Sequence, residues 1–280
     1  MKVSGFTIVR NAIQFHYPVM ASIQSILPVC DEFIVNVGDS QDGTLALIES
    51  IKNPKIRIIQ TKWDMSQGAT VLSEQTNLAL KECKGDWAFY LQTDEVIHEA
   101  DLLKLKHIMQ TFLNDSSIDA LRFKWLHFYG SYLRYRIDAG WYQKQDRIIR
   151  NNGTIESFGD AYAFRRIDGK PMQSHNTGCL LYHYGWVQSL QVMTNRKKNA
   201  TQIGYASPKD NTSEVDHDYG NLNRFPIYFG THPQTMNTAI SDHELTQEDS
   251  KAILKKCWWN PLLWLKVRYK TGFRVKERIT

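Results

Sequence analysis

The first half of the chain alternates between short apolar runs and longer segments whose apolar residues recur with helical spacing. The short runs predict four strands, namely "VSGFTIV" at 3–9, "DEFIVNV" at 31–37, "KIRIIQT" at 55–61 and "GDWAFYLQ" at 85–92. The segments between them predict helices, of which "ATVLSEQTNLALKECK" is the clearest. Because strands that alternate with helices form βαβ units, we expect an α/β fold with a mainly parallel mixed sheet flanked by helices.

Polar residues follow three of the predicted strands at the point where each strand ends. Arg10 and Asn11 follow the first strand, "GDS" at 38–40 follows the second, and Asp94 and Glu95 follow the fourth. In open α/β sheets, ligands bind outside the carboxyl ends of the strands. The sequence therefore predicts a binding site at this edge of the sheet.

The stretch "FYLQTDEVI" at 89–97 changes abruptly from apolar residues to two adjacent acids, Asp94 and Glu95. Carboxylates at a strand end suit a hard divalent cation such as Mg²⁺ or Mn²⁺, which takes oxygen ligands and completes its shell with substrate phosphates. The chemistry that uses this arrangement is displacement of a phosphate or diphosphate leaving group. The alternative interpretation is a solvated turn that binds nothing.

The second half of the chain is less regular and rich in aromatic residues, as in "LRFKWLHFYGSYLRYR" and "CLLYHYGWV". We predict short strands and loops built onto the sheet. The polar stretch at 199–250 predicts a loop or lid. Residues 251–280 interleave Trp and Leu with Lys and Arg, which predicts a basic amphipathic helix. Such a helix suits an anionic membrane surface, and the alternative is a helix that closes the domain or forms a dimer interface.

The distribution of charge and of cysteines argues against several classes of protein. Residues 251–280 hold nine Lys or Arg and one acid, a net charge of +8, so the rest of the chain carries −3 of the overall +5. This distribution argues against a basic surface for nucleic acid. The four cysteines are scattered without a C-x-x-C pair, which argues against a structural zinc site or a disulfide framework. With no apolar run of about 18 residues and no signal-peptide pattern, we expect a cytoplasmic location.

Several motifs, in this order, resemble those of bacterial family-2 glycosyltransferases with the GT-A fold. They are "TIVRNA", "GDSQDGT", "QTNLALKECKGDWAFYLQTDEVI" and, more loosely, "RIIRNNGTIESFGDAYAFR" and "YHYGWV". The resemblance implies a GT-A-like catalytic domain at 1–198, with a nucleotide-sugar-binding half at 1–100 and an acceptor half at 101–198. It also implies a hexosyltransferase that moves a sugar from a nucleoside-diphosphate sugar to a polysaccharide or lipid-linked glycan, usually with inversion and with Mg²⁺ or Mn²⁺.

The resemblance also implies roles for individual residues. Asp94 matches the second Asp of the family's Asp-x-Asp motif, which is the principal metal ligand, and Gln92 takes the place of the first Asp. Because Gln is neutral, this departure weakens the expected metal affinity. The donor-binding residues implied are Arg10, Asn11, Asp39, Asn77, Gln92, Thr93, Asp94, Glu95, Arg196 and Lys197.

Two of these assignments have open alternatives. Asp39 lies one position from the family's base-recognising acid, so it either pairs with the nucleobase or helps to cap the next helix. Arg196 and Lys197 either close over the diphosphate or form an exposed helix face.

Inverting transfer needs a general base, which the acceptor half should supply. The resemblance places Asp160 first and Glu156 second, with Asp138 and Asp146 as weaker candidates. The alternative for Asp160 is a salt bridge with one of the arginines that follow it. His183 either contacts the cation or diphosphate or is a hydrogen-bonded structural residue. Aromatic residues of this half, Tyr142 among them, either stack on acceptor sugars or belong to the core.

Other functions are compatible with parts of the pattern. A nucleotidyltransferase shares this kind of fold, but the first strand is followed by "VRNAIQFHYP" rather than a Gly-rich, basic loop. A dehydrogenase is disfavoured because no G-x-G-x-x-G follows that strand. A non-catalytic nucleotide- or glycan-binding relative remains open, since Gln92 is consistent with lost metal binding. The tail at 251–280 adds the hypothesis of peripheral contact with the inner face of the plasma membrane.

Overall fold

Eleven strands form one nine-stranded sheet and one two-stranded sheet in the computed structural model, which describes residues 1–137, 141–202, 219–220 and 222–241. The strands are β1 (Val3–Val9), β2 (Glu32–Val37), β3 (Ile56–Gln60), β4 (Trp87–Tyr90), β5 (Glu95–Ile97), β6 (Ala120–Tyr129), β7 (Tyr135–Arg136), β8 (Lys144–Arg150), β9 (Ile155–Phe158), β10 (Ala163–Arg166) and β11 (Ser174–Trp186).

Helices connect or cover these strands. In the described ranges the α-helices are α1 (Val19–Ile26), α2 (Thr44–Glu49), α3 (Thr70–Lys81), α4 (Leu102–Thr111), α5 (Leu190–Gln202) and α6 (Asn237–Ser241). Short 3₁₀ turns occur at Leu27–Val29, Met65–Gln67, Glu99–Asp101, Leu222–Arg224 and Gln234–Met236.

The large sheet has the order β3-β2-β1-β4-β8-β6-β11-β5, with β7 paired to β6. The first four strands in this order are mutually parallel, and helices lie on the crossovers between them. In the remainder, β8 is antiparallel to both neighbours, β11 is parallel to β6, and β5 is antiparallel to β11. The predicted α/β class and its four strands are confirmed.

The second half extends the same sheet with longer strands than the sequence predicted. Strands β6 and β11 contain 10 and 13 residues, so the prediction of short strands was wrong for them. Both lie inside the sheet, and most of their aromatic side chains are buried, whereas Trp125 and Trp186 are half-buried. A strand covered on both faces lacks the apolar–polar alternation that marks a half-exposed strand.

Buried clusters cover both faces of the sheet. On one face, Ile23 of α1 and Leu105 of α4 belong to the same apolar cluster as Phe33 and Phe89 of the sheet. On the other face, Val71 of α3 is part of a second cluster that includes sheet residues. This packing fixes the strands, and therefore the positions of the loops at their carboxyl ends.

Part of the predicted lid packs against the sheet. Tyr228 and Met236 lie in a buried cluster with Phe128 and Tyr182, and the hydroxyl groups of Tyr182 and Tyr228 are 2.9 Å apart. The rest of the predicted lid, at 203–218, 221 and 242–250, and the basic tail at 251–280 lie outside the described residues. No helix in the described ranges is long and apolar enough to cross a membrane.

Candidate active site

A cleft of about 580 Å³ opens at the carboxyl ends of the parallel strands and reaches across to the β9–β10 connection and to α5. Its walls include residues from both halves of the chain. Eight of the residues selected from the sequence line it: Arg10, Gln92, Thr93, Asp94, Asp160, His183, Arg196 and Lys197. The structure therefore brings together side chains that are up to about 190 positions apart in the sequence.

Asp94 and His183 face each other in this cleft. The Nε2 atom of His183 lies 3.6 Å from the Oδ2 atom of Asp94, and both side chains are largely buried. Burial alone would raise the pKa of Asp94, but His183 and Arg196 outweigh it and hold the pKa below its ordinary value. Asp94 is therefore a carboxylate at neutral pH.

Gly185 keeps the space beside this pair open. A Cβ atom added to Gly185 would lie 2.5 Å from Oδ2 of Asp94 and 2.8 Å from Nε2 of His183. Any side chain at position 185 would therefore occupy the space that both donor atoms face. Gly185 thus leaves the space beside the two donor atoms free of a side chain.

The Asp94 carboxylate and the His183 imidazole suit a divalent cation that takes its other ligands from substrate and water. The separation of 3.6 Å is near the roughly 3 Å expected for adjacent ligands of an octahedral ion. The described residues contain no group of three or more His, Cys, Asp or Glu side chains that would hold a metal by themselves. A carboxylate and an imidazole would thus hold Mg²⁺ or Mn²⁺ jointly with phosphate oxygens and water.

Arg10 and Asp39 form an ion pair between the ends of β1 and β2. Nε of Arg10 is 3.0 Å from Oδ1 of Asp39, and the backbone N–H of Trp63 contacts the same oxygen at 3.5 Å. Burial would raise the pKa of Asp39, but Arg10 and the hydrogen bonds outweigh it and lower the pKa. Asp39 keeps 38% of its side chain exposed, so a ligand can reach it. The helix-capping alternative fits Asp42 better, since Asp42 accepts hydrogen bonds from the backbone N–H and hydroxyl of Thr44.

Asn11 and Asn77 use their side chains to hold backbone in place. Oδ1 of Asn11 accepts a hydrogen bond from the N–H of Gln41, and Asn11 itself adopts a left-handed conformation with φ of 52°. The amide of Asn77 makes two hydrogen bonds to the backbone of Ser157, at 2.9 and 2.7 Å. Both residues shape the loops around the cleft without lining it.

Glu95 points away from the cleft into a fully buried ion pair. Its two carboxylate oxygens accept hydrogen bonds from Nε and Nη2 of Arg147, both at 2.8 Å. The Glu95 carboxylate also accepts a hydrogen bond from the backbone N–H of Gln92. Arg147 was not selected from the sequence. It also donates to the carbonyl of Tyr162, so it joins the Asp94 loop to the loop that carries Asp160.

Asp160 lies on the tight connection between β9 and β10. The residue after it, Ala161, has φ of 61°, a left-handed conformation that is uncommon for a residue with a Cβ. The carbonyl of Ala161 lies 3.4 Å from Nε2 of Gln92, so this residue links the two loops a second time. Asp160 lines the cleft.

The salt bridges near Asp160 involve other acids. Glu156 pairs with Arg165 and is not among the residues that line the cleft, while Arg166 pairs with Asp119 and Asp168. Asp146, a weaker candidate from the sequence, binds Arg122 through both carboxylate oxygens. Asp138 lies outside the described residues.

Arg196 and Lys197 differ in what they can offer a ligand. The guanidinium of Arg196 is buried over the ring of Tyr17 and donates to the carbonyls of Phe15, His16 and Gly185. Arg196 therefore fastens α5 to the loop after β1. Lys197, the next residue on α5, is half-buried and lines the cleft.

The sequence was compared with known protein families and with curated proteins. A family model described as "Glycosyl transferase family 2" matches residues 9–170. No curated protein matches the sequence.

Solved structures with similar folds have low sequence identity. Residues 1–349 of S. aureus TarS are 15% identical, with a TM-score of 0.43 and coverage of 74% of this chain and 66% of that chain. A glucosyl-3-phosphoglycerate synthase from Mycobacterium tuberculosis, in complex with Mn²⁺ and UDP-glucose, is 15% identical, with a TM-score of 0.40 and coverage of 74% and 80%. The mannosyltransferase PcManGT from Pyrobaculum calidifontis, with GDP-mannose and Mn²⁺, is 16% identical, with a TM-score of 0.34 and coverage of 45% and 36%.

The chain spans less than two thirds of TarS, namely 66% of its 1–349 form and 39% of a second TarS chain. The family model, by contrast, covers more than half of the present chain and includes the strand ends that form the cleft. The chain belongs to glycosyl transferase family 2.

Proposed function

We propose that this protein transfers a sugar from a nucleoside-diphosphate sugar to a glycan or lipid-linked acceptor, with inversion and with the help of Mg²⁺ or Mn²⁺. The observation that carries the proposal is that Arg10, Asp94, Asp160 and His183 line one cleft. Arg10 supplies a positive charge, Asp94 and His183 form a pair suited to a metal ion, and Asp160 adds a separate carboxylate to the same cleft. Displacement of a diphosphate requires groups of these kinds. A cytoplasmic location and contact of the tail with a membrane belong to the same proposal.

The donor occupies the side of the cleft lined by the end of β1, where Arg10 joins the cleft to Asp39 at the end of β2. Asp39 has one face exposed and is kept ionised by Arg10, so its carboxylate can accept hydrogen bonds from N–H groups of a nucleobase. Of Arg196 and Lys197, the two basic residues of α5 that line the cleft, Lys197 is the one we expect to bind the diphosphate. Arg196 has its donors engaged by backbone carbonyls, so its role is to position α5.

Asp94 and His183 would hold the cation. A divalent cation bound there would neutralise the negative charge that develops on the leaving diphosphate. Since the chain offers two donors at this point, we expect the cation to bind weakly alone and more tightly with nucleotide. Gln92 is neutral and its amide lies near the carbonyl of Ala161, so it holds the Asp160 loop.

Asp160 is the general base in this scheme. Its carboxylate takes the proton of the acceptor hydroxyl as that oxygen forms a bond to the anomeric carbon of the donor sugar. The bond between the anomeric carbon and the diphosphate oxygen breaks at the same time, and the nucleoside diphosphate leaves. Attack opposite the leaving group inverts the configuration at the anomeric carbon.

Aromatic rings beside Asp160 suit a sugar acceptor. Tyr142 stacks on Tyr162 with 5.3 Å between ring centroids and an angle of 17°, and Tyr142 is 52% exposed. Asp160 also helps to raise the pKa of Tyr142, after the larger effect of burial, so the two side chains are close. The exposed ring is a surface on which the apolar face of a sugar can stack.

Isothermal titration calorimetry with UDP, GDP and dTDP, each with and without Mn²⁺, tests the donor side. We expect one nucleotide to bind, and to bind more tightly with Mn²⁺. The matching nucleotide sugar should then be hydrolysed slowly, with release of the nucleoside diphosphate. Absence of binding by every nucleotide contradicts the proposal, and tight binding without any turnover favours the non-catalytic alternative.

A further inference from the structure

His127 and His183 are directly hydrogen-bonded partners on neighbouring strands. His127 of β6 is in register with His183 of β11, and their Nδ1 atoms are 3.0 Å apart. The other ring nitrogen of His127, Nε2, lies 2.7 Å from the backbone carbonyl of Tyr142. The contacts therefore form a chain that runs from the Tyr142 carbonyl through His127 to His183, and from there to the cleft.

The chemistry of the partners fixes where the protons lie. A carbonyl oxygen only accepts, so Nε2 of His127 must carry a proton. His127 is buried among aromatic rings, where burial favours the neutral ring, so its Nδ1 has a lone pair. The 3.0 Å contact then requires His183 to donate from its own Nδ1. In neutral His183 the lone pair consequently lies on Nε2, the atom that faces Asp94.

Packing fixes the planes of both rings. His127 is 3% exposed and His183 is 8% exposed. The indole of Trp125 stacks on His183 with an angle of 18° and meets His127 edge to face at 83°. Neither ring can turn over without displacing Trp125, so the hydrogen bond and the packing select the same orientation.

We propose that His127 is a positioning residue that holds His183 in the tautomer and orientation of a cation ligand. This inference rests on the proposed function, because it assigns His183 to the cation that Asp94 binds. It also decides between the two roles open to His183 in the cleft. A neutral ring with its Nε2 lone pair in the cleft ligates a cation, whereas a hydrogen bond to a diphosphate oxygen would need a proton there.

Three variants separate positioning from general destabilisation. His127→Phe keeps an aromatic ring but removes the acceptor for the proton on His183 Nδ1. His127→Asn places a carbonyl oxygen near the position of Nδ1, so it restores that acceptor. His232→Phe is the matched control, because His232 is a half-buried histidine bonded to Tyr184, the residue next to His183 on β11.

Mn²⁺ affinity in the presence of saturating nucleoside diphosphate, measured by electron paramagnetic resonance, is the first readout. Loss of a partner that orients a metal ligand typically lowers affinity by about 10- to 100-fold, and we expect this for His127→Phe. His127→Asn should recover most of the affinity, and the His232→Phe control should bind like the wild type.

The ¹⁵N chemical shifts of the histidines in the metal-free wild-type protein are the second readout, and they need no variant to fold. We expect His183 to show a protonated Nδ1, because that nitrogen donates to His127. A bare Nδ1 on His183 overturns the inference.

The outcomes distinguish the inference from the proposed function. If the wild type binds Mn²⁺ with nucleotide and folded His127→Phe binds it equally well, the inference fails and the proposed function stands. If the wild type binds nucleotide but no cation under any condition, both the cation part of the proposed function and this inference fail.

Discussion

Asp94 and His183 meet because of the register between two strands. In the antiparallel pairing of β5 with β11, His183 lies opposite Glu95, which brings its ring to the carboxylate of the preceding residue. Gly185, two positions further along β11, leaves the adjoining space open. The candidate cation site therefore depends on three residues whose relation is set by pairing and not by a local motif.

Asp94→Asn should abolish the effect of Mn²⁺ on nucleotide binding. The change keeps the size of the side chain but removes its charge, and metal-ion catalysis supplies several kcal/mol of stabilisation. We expect the kcat/KM of donor hydrolysis to fall roughly 100-fold or more. Calorimetry with and without Mn²⁺ measures the binding, and Asp168→Asn, at an exposed ion pair with Arg166, serves as the control. An unchanged Mn²⁺ dependence in Asp94→Asn would show that the cation binds elsewhere.

Asp160→Asn should retain nucleotide binding and lose turnover. General-base catalysis typically contributes 10²- to 10⁴-fold, and we expect donor hydrolysis to fall by about that factor. Glu156→Gln is the matched comparison, because Glu156 pairs with Arg165 and does not line the cleft. Release of nucleoside diphosphate measures both variants. If Glu156→Gln loses turnover and Asp160→Asn keeps it, the base assignment is reversed.

Residues of the site differ in how far the sequence could predict them. Arg10 and Asp94 follow apolar strands, and such positions carry a visible change from apolar to polar residues, whereas His183 lies within β11. His127 and Arg147 were missed because each lies within a buried strand and has its partner on an element remote in sequence. His127 is paired with His183 across β6 and β11, and Arg147 of β8 binds Glu95 of β5, with two strands between them in the sheet. The one local signal was a polar residue inside an apolar run, as for His127 in "WLHFY".

At the scale of elements, the parallel half of the sheet could be predicted because each strand is followed by a helix with a recognisable period. The second half could not, because β6 and β11 have buried residues on both faces and so lack a steady apolar–polar alternation. Loops that are remote in sequence are then tied together by buried polar contacts. Arg147 joins the Asp94 loop, through Glu95, to the Asp160 loop, through the carbonyl of Tyr162.

Arg147→Met should destabilise the fold strongly. It leaves the carboxylate of Glu95 buried without its partner, and breaking such a pair typically costs about 3–5 kcal/mol. The double variant Glu95→Leu/Arg147→Met removes both charges and should recover at least about half of that loss, since apolar replacements of buried pairs are often tolerated. Urea unfolding measures the free energies. A double variant that is no more stable than Arg147→Met would mean that the lost hydrogen bonds dominate.

At the scale of the whole molecule, the cleft is lined by segments that extend from residue 8 to residue 200 of the chain. The end of β1, the loop after β4, the β9–β10 connection, the end of β11 and α5 each contribute to it. Arg196 additionally binds α5 to the loop after β1. A ligand that contacts all these segments can bind only when they are folded together. Binding to the folded state alone shifts the unfolding equilibrium toward that state.

The nucleotide that binds should therefore raise the melting temperature, and Mn²⁺ should be needed for most of the rise. At a ligand concentration of about 100 times Kd, the stabilisation is about 2.7 kcal/mol. For a chain of this size that corresponds to roughly 5 °C or more. Thermal unfolding followed by circular dichroism, with nucleotide and Mn²⁺ before and after addition of EDTA, measures the effect. Asp94→Asn should show only the small rise seen in EDTA, whereas an equal rise with and without the cation would place the diphosphate away from the Asp94–His183 pair.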